Sequence, residues 1–105
     1  MAQFHVYRNL NPVSRTAVPY LLDLQSSLIE SLPTRIVAPL TPVDILRGKT
    51  MRKLMPTLEI DGEAYVMDTP QLAGAPARMI GPLVADLSGQ RAEIMAAIDL
   101  LFLGY

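Results

Sequence analysis

Apolar and polar positions alternate in short stretches along most of the chain. Gln3 to Arg8 places Phe4 and Val6 on one side and His5 and Tyr7 on the other, which predicts a half-buried strand. Asn9 to Arg15 is rich in turn formers and reads as a loop. Tyr20 to Gln25 predicts a second strand with Leu22 and Leu24 on one face, and Ser26 to Pro33 a connector that carries the apolar pair Leu28 and Ile29. Arg35 to Leu40 predicts a third strand, which Pro39 assigns to a sheet edge or a strand end. Val43 to Leu54 is polar and basic around Gly48, with Arg47, Lys49, Arg52 and Lys53, and predicts an excursion with one helical turn. Thr57 to Met67 holds the strongest local signal. Leu58-Glu59-Ile60 and Ala64-Tyr65-Val66 flank Asp61-Gly62, the pair that a tight hairpin with two positive φ angles requires.

Pro70, Gly74 and Pro76 break the stretch from Thr69 to Pro76, and Ala77 to Ile80 predicts a last short strand. Ser88 is placed as the N-cap of a helix with Glu93 early in it. Ile94, Ile98, Leu101 and Phe102 follow i, i+4, i+7, i+8 and predict the buried stripe, with Arg91, Met95, Asp99 and Leu103 on another face. Strands followed by one helix predict a mainly β fold with a C-terminal helix. The expected form is a small antiparallel sheet or open barrel with the helix on one side.

The length of 105 residues fits one domain over residues 1–105. A chain of this size buries roughly 60–70% of its unfolded surface. An apolar fraction of 50% against 18% charge is high for such a core and predicts a subunit interface, hence a homodimer. Nine Lys and Arg against ten Asp and Glu provide no basic excess of the kind that nucleic-acid binding needs. The absence of cysteine removes disulfides, thiolate chemistry and the common zinc sites, and fits a reducing cytosol. With neither a signal-peptide pattern nor an apolar run near the ~20 residues of a membrane span, the expectation is a soluble intracellular protein.

His5 is the single histidine, with no second imidazole or thiolate to complete a metal site and no G-x-S-x-G elbow to supply a nucleophile. No phosphate-binding glycine motif occurs, and Asp23, Glu30, Asp44, Glu59, Asp68, Asp86 and Asp99 are spread singly. These residues argue for a protein-interaction module without cofactor or metal, not for an enzyme. The sequence finishes Leu100-Leu101-Phe102-Leu103-Gly104-Tyr105. An apolar side chain beside a glycine makes an anchor for a partner; the same residues equally suit the padding of a dimer interface. The basic run from Arg47 to Lys53 reads as a solvated loop or as a docking loop for an acidic partner.

Four segments together resemble the CcdB family of toxins from toxin–antitoxin modules: Gln3-Phe4-His5-Val6-Tyr7, Asp23-Leu24-Gln25-Ser26-Ser27-Leu28-Ile29, Ile80 to Ser88, and Ala97 to Tyr105. The resemblance implies an SH3-like antiparallel β-barrel with a C-terminal helix, homodimeric. It implies a cytoplasmic bacterial protein that binds the DNA gyrase A subunit and traps the cleaved DNA–gyrase complex. A CcdA-type antitoxin would neutralise it, and the antitoxin would make the DNA contact in an autoregulatory complex. The implied gyrase-binding residues are Leu103, Gly104, Tyr105, Asp99, Leu28 and Ile29; those for the antitoxin are Arg15, Asp99 and Leu103. Within this set the sequence departs from the family pattern: Leu103 stands for a tryptophan, Tyr105 for an isoleucine and Asp99 for an asparagine. The alternative is a non-toxic relative that keeps only antitoxin binding and operator autoregulation.

Overall fold

The computed structural model describes residues 1–29, 31–46 and 51–105. Among these residues seven strands, β1 (His5–Asn9), β2 (Tyr20–Asp23), β3 (Thr34–Pro42), β4 (Thr57–Ile60), β5 (Glu63–Met67), β6 (Ala73–Pro76) and β7 (Ile80–Asp86), precede one α-helix, α1 (Arg91–Leu103). All pairings are antiparallel, in the order β4-β5-β3-β2-β1-β7, with β6 on β3. The sheet is curled, and α1 packs into its hollow. The mainly β architecture with a C-terminal helix is therefore as the pattern predicts.

Alternation sorts the core into two layers. Val6 faces Leu22, and Leu22 faces Ala38, across three neighbouring strands. This row joins Phe4, Leu40, Leu58, Met67 and the helix residue Ile94 in the main core. Tyr7, Leu21, Val37 and Ile80 form a smaller layer on the opposite face. The Asp61-Gly62 turn has φ of 51° and 82°, as its hairpin geometry demands. At Gly81 a Cβ would come within 2.9 Å of Leu10 Cδ2 and 3.1 Å of the Arg8 carbonyl oxygen, so a larger residue there would require the Leu10 side chain and the β1 backbone to shift.

Five expectations are corrected. Pro39 lies inside β3, opposite Leu21 of β2, and not at an edge. It is tolerated because the other side of β3 changes partner there: β6 pairs with Thr34–Val37 and β5 with Leu40–Pro42. The segment broken by prolines forms β6 after a 3₁₀ turn at Thr69–Gln71. Ala77–Met79 is a second 3₁₀ turn, and the last strand runs over Ile80–Asp86 instead; its proline, Pro82, sits in an edge strand. Ser88 does not cap α1. Ser88–Gln90 forms a 3₁₀ turn, and the Ser88 backbone N–H donates to Asp86 Oδ1 at 2.9 Å. Phe102 is 66% exposed; the buried helix residues are Ile94 and Ala97, with Ile98 and Met95 packed beside them. In the basic excursion Val43–Leu46 is a 3₁₀ turn, whereas Arg47, Gly48 and Lys49 lie outside the described residues.

Gln90 closes the curl. Its carboxamide accepts from the Glu59 N–H and donates to the Glu59 carbonyl, both at 3.2 Å. One side chain thereby satisfies two groups on the free edge of β4 and ties them to the start of α1. Gln90→Ala is expected to destabilise the fold by about 1 kcal/mol, lowering Tm by about 4–8 °C in a thermal melt. An unchanged Tm would show that water replaces the clip without loss.

Tyr65 sits under the same hairpin, edge-on to Tyr20 with ring centroids 5.2 Å apart, and its hydroxyl donates to Glu63 Oε2 at 3.1 Å. Burial, then the Glu63 carboxylate, push its pKa up to about 12. The folded state holds this proton more tightly than the unfolded chain, so stability falls as pH rises from about 10 to 12. An ultraviolet titration should show one tyrosine ionising last. A titration without a late step that disappears in Tyr65→Phe would exclude the shift.

Candidate functional site

The turn after β2 is held from beneath. Asp23 and Arg35 are almost completely buried, at 0% and 2% exposure. Asp23 is opposite Val37, so Arg35 lies on the diagonal two residues away on the same face. Arg35 Nε and Nη2 donate to Asp23 Oδ2 at 2.9 and 2.6 Å, and Nη2 also donates to the Gln25 carbonyl at 3.3 Å. The other carboxylate oxygen accepts from the Gln25 N–H at 2.9 Å. The Gln25 carboxamide carries the order outward. It accepts from the Ile36 N–H at 3.1 Å and donates to the Ile29 carbonyl at 2.6 Å. Ser26 Oγ accepts from the Leu28 N–H, completing a 3₁₀ turn at Ser27–Ile29. Leu28 is thereby presented at 94% exposure and Ile29 at 50%. Apolar side chains on so well anchored a turn are pre-organised for contact.

Sequence reasoning did not pair Asp23 with Arg35. The available signal was a carboxylate inside the apolar run Leu21-Leu22-Asp23-Leu24, since a charge in such a position requires a partner on a neighbouring strand.

α1 carries the second group. Asp99 and Leu103 are one turn apart on its outward ridge and both are exposed. Gly104 takes φ 81° and ends the helix, its N–H donating to the Leu100 carbonyl at 3.0 Å. Leu103 and Tyr105 stay largely in solvent. A groove of about 400 Å³ runs between the turn and the helix, with Ile29, Leu32 and Ile36 on one wall and Met95, Ile98 and Phe102 on the other. It brings Ile29 and the helix into one concavity. Leu103, Gly104, Tyr105 and Asp99 lie beyond this groove, Leu103 and Asp99 on the ridge.

Arg15 is placed elsewhere. Its loop is organised by Asn9, whose amide donates to Ser14 Oγ and the Val18 carbonyl and accepts from the Asn11 N–H. Val18 packs on the smaller layer, whereas α1 packs on the main core. Arg15 and Asp99 therefore belong to elements on opposite sheet faces, and no hydrogen bond or ion pair joins them among the described residues.

His5 Nε2 lies 3.6 Å from Asp86 Oδ2. The Asp86 carboxyl is held below the usual range, first by the Ser88 N–H, then by the Ser88 hydroxyl, and least by His5. No group of three metal-ligating side chains forms among the described residues. Leu28, Ile29, Phe102, Leu103 and Tyr105 are exposed apolar side chains on one turn and one helix end, with others, Val13, Met51 and Leu83, exposed elsewhere. Compared with known families, residues 3–104 match the sequence model of the family described as CcdB protein.

Proposed function

The chain belongs to the CcdB family, whose members are toxins of toxin–antitoxin systems or their relatives, and from that premise we propose that it is a homodimeric bacterial cytoplasmic toxin acting on DNA gyrase. It binds the A subunit, traps the enzyme on cut DNA, and is neutralised by a CcdA-type antitoxin. It needs no catalytic group and no cofactor of its own, because its action is to hold another enzyme's intermediate. DNA is reached only through the antitoxin complex. The observation that supports this reading best is the solvent-facing apolar set of Leu28, Ile29, Leu103 and Tyr105. Asp23, Arg35 and Gln25 hold one half of it in place, and the Gly104 turn holds the other. Rigid exposed apolar anchors are what a tight protein contact uses.

Incubation with gyrase, supercoiled DNA and ATP should produce trapped double-strand breaks. The antitoxin contact has its own test. Arg15→Glu combined with Asp99→Lys should weaken the toxin–antitoxin complex, measured by calorimetry; full retention would remove both residues from that interface.

A second reading is favoured by one observation, the leucine at position 103. A non-toxic relative would retain antitoxin binding and autoregulation while leaving gyrase untouched. Absence of trapped cleavage together with antitoxin binding selects it.

A further inference from the structure

Phe4, the residue before β1, has φ of 67°. A bulky side chain is rarely held in the left-handed region, and such strain persists only where the surroundings over-determine it. Here they do. The Phe4 N–H donates to the Asp23 carbonyl at 2.7 Å, and the Phe4 carbonyl accepts from the Leu87 N–H at 2.8 Å. The side chain is buried in the main core, with the Arg91 guanidinium 5.5 Å from the ring centroid. One residue thus joins the end of β2, which carries the turn at Ser27–Ile29, to the entry of α1. Gln3 extends the grip on the turn: its N–H donates to Ser27 Oγ at 3.3 Å and its carboxamide to the Leu24 carbonyl at 3.1 Å.

We propose that Gln3 and Phe4 form a strained joint that couples the turn to the helix, so that the two elements order and loosen together. Relaxing φ swings the Phe4 N–H against its carbonyl, and the bonds to Asp23 and from Leu87 do not both survive that rotation. The joint therefore has two arrangements, one clamped with both bonds made and one relaxed with a bond lost. The buried Asp23–Arg35 pair fixes the acceptor on the β2 side, and the Gln90 clip fixes the helix entry on the other. Opening the turn removes half of what holds the strain and frees the start of α1. Ordering the turn restores it. A contact made at Leu28 and Ile29 thereby firms the helix entry, and by linkage a contact on the helix firms the turn to the same extent. The coupling belongs to the chain itself and does not depend on which partner makes the contact.

Native-state amide hydrogen exchange on the intact protein reads the coupling. The turn side is reported by the Gln25 and Ile36 amides, which donate to Asp23 Oδ1 and Gln25 Oε1. The helix side is reported by the amides of Leu87 and Gln90, and the Met67 amide, which donates to the Pro56 carbonyl, is the control. Gln3→Ala combined with Ser27→Ala removes both grips on the turn, and neither side chain hydrogen-bonds residues 87–90 among the described residues. Exchange should quicken at least about fivefold at Leu87 and Gln90 as well as at Gln25 and Ile36, and by less than about twofold at Met67. From the helix side, Arg91→Ala should quicken Gln25 and Ile36. The strain has its own test: Phe4→Gly should melt above Phe4→Ala, because glycine adopts positive φ freely. The proposal is overturned if the double variant quickens exchange on the turn alone, if Met67 quickens as much as Leu87, or if Phe4→Ala melts above Phe4→Gly. No gyrase takes part, so a failure here is separate from a failure of the toxin reading.

Discussion

Asp23→Ala is expected to destabilise the protein by about 3–5 kcal/mol, because it leaves the buried Arg35 guanidinium without its counter-charge. Among the described residues Arg35 is the largest fully buried side chain, and its Nη1 has no hydrogen-bond partner. Removing the carboxylate would strand two further donors. Small domains are stable by only about 5–15 kcal/mol, so this single change takes a large share. Urea denaturation measures it directly, and Tm should drop by roughly 15 °C or more. A companion variant separates charge from shape. Asp23→Leu with Arg35→Met removes both charges at similar volume and should recover most of the loss. Its residual defect should be local, because Gln25 would lose the carboxylate that orders its backbone. A loss below about 1 kcal/mol for Asp23→Ala would mean that water reaches the guanidinium.

Leu103→Trp is expected to strengthen gyrase trapping by about two to three powers of ten, under the toxin reading. The gain comes from an indole face that can stack on a guanidinium of the target, which a leucine cannot offer. Such stacking contributes up to about 2 kcal/mol in a partly desolvated site. A symmetric dimer has two copies of it, and each 1.4 kcal/mol is tenfold in affinity. Position 103 is open to the change: it lies on the exposed ridge of α1, where a larger side chain meets no core atom. Supercoiled DNA, gyrase and ATP with each protein give the comparison. Weak cleavage by the natural chain and strong cleavage by the variant would identify a sound scaffold whose contact is reduced. Equal strong cleavage would assign the aromatic role to Tyr105. Failure of both would favour the relative that acts only through its antitoxin.

The parts of the fold that could be read along the chain were those whose determinants are local. The hairpin at Asp61-Gly62 is set by two adjacent residues, and the two faces of β1 by strict alternation. The errors lie where a distant partner decides. Pro39 lacks the N–H that a central strand uses, yet it sits inside β3 because β5 and β6 share one side of that strand. Phe102 fell on the apolar stripe by spacing, yet the hollow of the sheet ends before the last turn of α1 and leaves it outside. Ser88 has the chemistry of a cap, but the helix begins three residues later because Gln90 is committed to the edge of β4. Of the candidate site, the apolar residues were nameable from sequence. The buried Asp23–Arg35–Gln25 support beneath them was not, since its members lie on different strands and only register brings them together.

The placement of β7 has a consequence for biosynthesis. β1 is made before the other strands of its sheet, and one of its edges pairs with β2 soon afterwards. The other waits for β7, at residues 80–86. Until then a nascent chain displays an open strand of mainly buried residue types, and Phe4 and Val6 lack the cover that Leu87 and Ile94 later supply. Such long-range pairing is slow and prone to wrong association. A translating ribosome would therefore carry an adhesive intermediate between the making of β1 and that of β7, and the yield of active protein should depend on how fast the segment from Gly81 onward emerges and on the holdases available while it does.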